Sequence, residues 1–167
     1  MRDGAIRYYG VATWRGLRCN PKAKAYLSLE ALIELAVQAG GAEHHFRVIQ
    51  LPYNLAMPEA FSFRNQTIHG ESMTSLQAAE RLGLTVMISA SLLQSQLARL
   101  PASLETRIPG LSTSAQRAVQ CVRSTPGITT ALVGMKQRTH VEENLALAQH
   151  PTLTAEQVSQ LFDRSRR

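Results

Sequence analysis

Thr129-Thr130-Ala131-Leu132-Val133-Gly134-Met135-Lys136-Gln137-Arg138-Thr139-His140-Val141-Glu142-Glu143-Asn144 is the stretch that decides the fold. Its first five residues are β-branched or aliphatic and suit a buried strand that stops at Gly134. Thr139 followed three residues later by Glu142 has the spacing of a capping box, worth about 1 kcal/mol, and predicts a helix over residues 139–149. Strand, short turn and helix together make the βα unit of a parallel sheet. A helix start aims free backbone N–H groups beyond the strand's carboxyl end, and Lys136 and Arg138 add positive charge there, which is the chemistry of a phosphate site. The same spacing suits a plain βα junction with a solvated basic turn, and local sequence leaves both open.

The alternation extends through the rest of the chain. Residues 6–12 (IRYYGVA) follow the turn signal Arg2-Asp3-Gly4 and read as a strand, and Phe46–Pro52 (FRVIQLP) and residues 84–89 (LTVMIS) read as two more. Residues 28–39 place Leu29, Leu32, Ile33, Leu35 and Ala36 on one helical face and stop at Gly40-Gly41. The pairs Thr74/Gln77, Thr113/Gln116 and Thr154/Gln157 open helices over residues 74–83, 113–124 and 154–164, and a short helix fits residues 92–100. Residues 57–73 (MPEAFSFRNQTIHGESM) read as a long irregular connection, of the kind that forms lids or insertions.

Four apolar strands separated by helical crossovers imply an α/β fold with parallel pairing and outer helices. No Gly-x-Gly-x-x-Gly turn follows the first strand and no Gly-Lys-Ser/Thr loop is present, so a dinucleotide-binding doubly wound sheet and a P-loop enzyme are both disfavoured. A parallel (β/α) barrel architecture remains. At 167 residues, with 44% hydrophobic and 18% charged residues, the chain forms a single domain spanning residues 1–167. The formal charge of +6 favours anionic partners. Basic residues without aromatic interleaving argue against nucleic acid, and no apolar run reaches membrane length. Cys19 and Cys121 match no metal spacing and follow no secretory segment, as in a cytoplasmic protein with reduced thiols. His44-His45 beside Glu43 lack a third ligand, so no metal site is expected.

The runs IRYYGVATW (from Ile6), QLPYN (from Gln50), SASLLQ (from Ser89) and the segment from Gly134 to Asn144 resemble, in this order, the aldo/keto reductase superfamily. The resemblance covers nearly the whole chain and implies about four β/α units, the second half of an eight-stranded barrel, plus a C-terminal helix. It implies NADPH-dependent reduction of aldehydes and ketones for the family. The family's catalytic Asp, Tyr, Lys and His lie on the other half, so no position here inherits a catalytic role. What the resemblance carries over is NADP(H) binding. Gln50 matches the glutamine that meets the nicotinamide carboxamide, and the Thr13 hydroxyl substitutes for the family's Ser-Asn contact. Gln94, with Ser95, lies where a family loop touches the pyrophosphate. Gly134 and Lys136 match the positions facing the adenosine 2′-phosphate, and His140 falls where the family has Arg or Gln. Glu143 and Asn144 match the pair that contacts adenine. Ser89 replaces the aromatic that stacks on the nicotinamide, which removes a surface worth about 1 kcal/mol.

The expectation is therefore an aldo/keto reductase-type protein that carries the cofactor grip without the catalytic set and is inactive alone. Two alternatives stand beside it: a non-catalytic nucleotide-binding or interaction module, and a truncated reading frame with no independent activity. Open strand edges predict self-association or a complementary half-barrel as partner.

Overall fold

The computed structural model describes residues 4–163. The Arg2-Asp3 part of the expected first turn, the end of the last helix at Arg164 and the basic residues that follow it lie outside the described residues. In chain order the elements are β1 (Tyr9–Ala12), α1 (Leu29–Gly40), β2 (Phe46–Pro52), α2 (Glu59–Ser62), β3 (Gln66–Ile68), β4 (Glu71–Met73) and α3 (Ser75–Arg81). They continue as β5 (Thr85–Ser89), α4 (Ser103–Arg107), α5 (Ser114–Ser124), β6 (Thr130–Ala131), α6 (Arg138–Ala146) and α7 (Ala155–Phe162). The parallel four-stranded sheet runs β1-β2-β5-β6, as the alternation predicts, and β3 and β4 form a separate hairpin. Two compact units emerge, Met1–Pro52 with Glu59–Met87, and Tyr53–Pro58 with Ile88–Arg167.

In the first unit β1 is shorter than expected, because Ile6 and Tyr8 stand exposed outside the ladder. The pairing of β1 with β2 slips by one residue, from Tyr9 opposite Phe46 to Gly10 opposite Val48. Tyr9 packs edge-on against Phe46 with ring centroids 5.6 Å apart. Gly10 is obligatory at the slip: a Cβ there would lie 1.8 Å from the Val48 carbonyl oxygen, a backbone atom that cannot swing away. Helix α1 starts on Ser28, whose hydroxyl accepts from Ala31 N–H at 3.2 Å, and ends at Gly41 with φ 72°. Leu29 and Ala36 are buried, whereas Leu35 is 59% exposed and not on the inner face. At 3.6 residues per turn it lies about 120° round from Leu29.

The stretch expected to be irregular is ordered. Residues 66–73 form an antiparallel hairpin with Ile68 opposite Glu71, and its two-residue turn, His69-Gly70, has φ of 50° and 82°. Positive φ at both positions is the turn that matches strand twist, with glycine at the second. Far from being a free lid, the segment is bolted down by buried amides. Asn65 Nδ2 donates to the carbonyls of Leu17 and Cys19, both at 3.0 Å, and Gln66 accepts from Leu29 N–H at 2.9 Å while donating to Leu27 O at 3.1 Å. Thr74 and Gln77 then form the expected capping box at α3.

In the second unit α5 is the rail. Thr113 and Gln116 form its capping box, and Arg117, nearly buried, donates to Leu111 O at 2.6 Å and Ile108 O at 3.3 Å. Gln120 Nε2 donates to Pro151 O at 2.6 Å, and Ser124 Oγ accepts from Leu153 N–H at 2.9 Å. These bonds lay the C-terminal segment along the helix, and α7 starts on the expected Thr154/Gln157 box. Ile108, Leu111, Val119, Cys121, Leu147 and Leu161 form the core of this unit. The expected helix at 92–100 is reduced to a 3₁₀ turn at Gln96–Ala98, and β6 keeps only two of its five expected residues.

Tyr53 is fully buried here, and its hydroxyl lies 3.0 Å from Thr125 Oγ1, which itself donates to Cys121 O at 2.8 Å. Thr125 has one proton and spends it on the carbonyl, so Tyr53 is the donor in the first bond. Burial pushes the Tyr53 phenol well above its ordinary value and the Cys121 thiol up from 9.0 to about 12.

Two expectations follow. Replacing Gly10 with Ala forces β1 off β2 and lowers the stability read from the urea midpoint by about 3 kcal/mol. Gly134→Ala, with nothing within 4 Å of the added Cβ, changes it by less than about 0.5 kcal/mol. Because the folded chain holds both protons beyond their unfolded values of 9.0 and 10.0, the unfolded chain releases protons first as pH rises. The stability they contribute is complete below pH 9.0 and is lost as pH climbs toward about 12. Urea midpoints measured across that range decline, and Cys121→Ala flattens the decline.

Candidate functional site

The eight residues singled out in the sequence fall into one group in each unit. In the first, Thr13 and Gln50 stand at the carboxyl ends of β1 and β2. Ala12 is in register with Gln50, and Thr13 N–H donates to Gln50 O at 2.9 Å, so the ladder places the two residues side by side. The Thr13 hydroxyl accepts from Gly16 N–H at 2.9 Å, which fixes the turn and leaves the hydroxyl proton for another acceptor. The half-buried Gln50 side chain makes no hydrogen bond among the described residues. A carboxamide with donor and acceptor both uncommitted at a strand end is chemically suited to another amide.

In the second unit Gln94, Gly134, Lys136, His140, Glu143 and Asn144 lie on the exits of β5 and β6 and on the start of α6. Hydrogen bonds tie the two exits together. Leu132 N–H donates to Ile88 O at 2.8 Å, and Ser91 Oγ donates to Leu132 O at 3.0 Å. The β5 exit is conformationally costly: Ala90, Leu93, Gln94 and Ser95 all have positive φ, between 45° and 69°. Each non-glycine residue in that region costs about 1 kcal/mol. Asn54, fully buried, supports it by donating to Ala90 O at 2.8 Å. Neither Asn54 nor Ser91 was singled out from sequence as a supporting residue, because a polar residue at a strand end has no local signature of what it holds.

The start of α6 differs from the expected box. The helix begins at Arg138, one residue early, on Gln137, which has extended backbone and makes no side-chain cap. Thr139 is inside the helix, and Glu142 pairs instead with Arg138, Nε to Oε1 at 2.8 Å. Arg138 at i and Glu142 at i+4 are both exposed, and such a pair contributes about 0.3–0.5 kcal/mol. His140 and Val141 N–H both donate to Gln137 O, while Arg138 and Thr139 N–H have no acceptor among the described residues. Losing the capping box therefore leaves more of the helix start open than the sequence suggested. Lys136 is exposed with no ion pair among the described residues, and Gly134 has open space around it. Two open amides, a helix N-terminus and an unpaired ammonium make a surface suited to a dianion.

His140 is exposed on the same turn. Glu143 is already engaged: the Thr113 hydroxyl donates to its Oε1, and Gln116 Nε2 donates to its backbone carbonyl at 3.0 Å. The carboxylate thus clips α6 to the start of α5, and Oε2 is the oxygen left for a ligand. The half-buried Asn144 side chain makes no hydrogen bond among the described residues. No group of three or more His, Cys, Asp or Glu among the described residues is arranged to hold a metal ion. No described helix is long and apolar enough to cross a membrane.

No protein-family model and no curated protein matches the chain. Solved structures do. An aldo/keto reductase from Klebsiella pneumoniae in complex with NADP and acetate is similar over 96% of this chain and 48% of its own, with a TM-score of 0.63 at 21% identity. An aldo-keto reductase from Klebsiella pneumoniae in complex with NADPH is similar over the same shares, 96% and 48%, with a TM-score of 0.60 at 23% identity. The holo form of an aldo-keto reductase from Bacillus halodurans is similar over 99% of this chain and 55% of its own, with a TM-score of 0.60 at 15% identity. The chain spans about half the length of the solved structures it matches. The resemblance read from four short runs of sequence is thus met by the whole described chain: it has the fold of the aldo-keto reductases, as a partial barrel.

Proposed function

We propose that this chain is an aldo/keto reductase-family protein and holds the NADP(H)-gripping part of an NADPH-dependent oxidoreductase of aldehydes and ketones. The observation that carries the reading is the start of α6, where among the described residues the N–H groups of Arg138 and Thr139 have no acceptor and the exposed Lys136, two residues before Arg138, has no ion pair. Gly134, Lys136 and His140 meet the 2′-phosphate, Glu143 Oε2 and Asn144 meet the adenine, and Gln94 meets the pyrophosphate. Thr13 and Gln50 are the carboxamide contacts that the resemblance assigns. The NADP and NADPH bound to the Klebsiella pneumoniae enzymes support a dinucleotide as the ligand class.

When bound, NADPH supplies a hydride. This chain supplies the grip but no proton donor, because the catalytic Asp, Tyr, Lys and His of the resemblance have no counterpart in it. The purified chain therefore binds cofactor without reducing carbonyl compounds. A second reading, an interaction module completed by another half-barrel or by self-association, is supported by β1, which among the described residues pairs with β2 alone.

Titrating NADPH and NADH against the chain, followed by nicotinamide fluorescence, tests the proposal. NADPH binds more tightly, and Lys136→Ala weakens it by about tenfold, the loss of one charge-assisted contact, while NADH affinity is nearly unchanged. Equal affinity for the two cofactors, or an equal effect of the substitution on both, would overturn the assignment of Lys136.

A further inference from the structure

One hydroxyl at the start of α5 does two things. The Thr113 oxygen accepts from Gln116 N–H at 3.1 Å, the bond that caps the helix, and its proton goes to Glu143 Oε1 on α6. Gln116 is used as fully. Its Oε1 accepts from Ser112 N–H at 2.9 Å and Thr113 N–H at 3.2 Å, and its Nε2 donates to the Glu143 carbonyl at 3.0 Å. The pair therefore holds residue 143 at two points, one on the main chain and one on the side chain. A capping box needs neither of these bonds. Apolar packing does not take their place, because no residue of α6 is buried.

A free carboxylate offers two equivalent oxygens and turns between them. With Oε1 held by Thr113, the half-buried Glu143 presents Oε2, which has no partner among the described residues. A carboxylate oxygen accepts and has no proton to give, so a ligand group that meets it has to carry a hydrogen. The exocyclic amine of an aminopurine does. The carbonyl that replaces the amine in an oxopurine meets Oε2 lone pair to lone pair.

We infer that Thr113 is a positioning residue that, acting through Glu143, makes this site select aminopurine over oxopurine nucleotides. The inference rests on the proposed contact of Glu143 with adenine and adds its cause, the proton that Thr113 donates. A hydroxyl that only capped α5 would change stability when removed and leave the choice of base untouched.

Isothermal titration of the full chain with 2′,5′-ADP and with inosine 2′,5′-bisphosphate tests this, because the two share both phosphates and differ at the base. The unmodified chain binds the adenine form about tenfold more tightly, the value of one hydrogen bond to a charged acceptor. Glu143→Gln reverses that preference. The Thr113 proton has no other acceptor among the described residues, so it keeps the new amide oxygen turned toward α5 and leaves the amide nitrogen, a donor, facing the base. Adding Thr113→Asp to Glu143→Gln turns the amide round and restores the adenine preference, since aspartate caps a helix well but accepts where threonine donated. Thr113→Ser keeps the hydroxyl and the adenine preference. If the double variant fails to fold, Thr113→Val takes its place and loses the preference. An adenine preference retained in Glu143→Gln or in Thr113→Val, its loss in Thr113→Ser, or a folded double variant that still prefers the inosine form would each overturn the inference. Equal binding of the two nucleotides by the unmodified chain also overturns it and leaves the phosphate grip standing. Binding of neither removes the proposed function and the inference with it.

Discussion

Parallel strands cannot be joined by a tight turn, so each strand of this sheet has to be followed by a crossover before the next can pair. That constraint organises the chain. It explains why the strands are separated by α1, by the α2–hairpin–α3 segment and by α4 and α5, and why the candidate residues sit where chain leaves a strand. Thr13 follows β1, Gln50 lies near the end of β2, Gln94 follows β5, and Gly134 and Lys136 follow β6.

The crossovers hold because buried polar groups are spent on otherwise orphaned backbone. The loop between β1 and α1 is irregular, and inside the first unit its carbonyls need partners: Leu17 O is met by Ser75 Oγ as well as by an amide, while Cys19 O and Leu27 O depend on amides. Asn65 and Gln66 satisfy them, so the hairpin that looked like an accessory is what permits the loop to pack. In the second unit Arg117, Gln120 and Ser124 do the same for the segments at 108–111 and 151–153.

The sequence was legible where the determining contacts are local. Thr74/Gln77, Thr113/Gln116 and Thr154/Gln157 cap their helices as read, because both partners lie within one turn. Thr139/Glu142 has the same spacing and does not cap, because the i, i+4 pairing of Arg138 with Glu142 takes the acid and the helix starts one residue earlier. The hairpin at 66–73 leaves little trace in the sequence, since three-residue strands give too little alternation and His69-Gly70 is a weaker turn signal than Asn-Gly. Leu35 is apolar but lies about 120° round from Leu29, and that angular position turns it outward. At the site, position along the chain was readable for all eight residues. The engagement of Glu143 by Thr113 was not, because it joins residues thirty positions apart.

The central claim is that the β6 exit and the start of α6 grip a 2′-phosphorylated adenosine. Isothermal titration of the chain with 2′,5′-ADP and with 5′-AMP isolates that grip from the rest of the cofactor. The account predicts saturable binding of 2′,5′-ADP that weakens with added salt, and at least tenfold weaker binding of 5′-AMP. Indistinguishable affinities for the two nucleotides, or no binding of either, would contradict it.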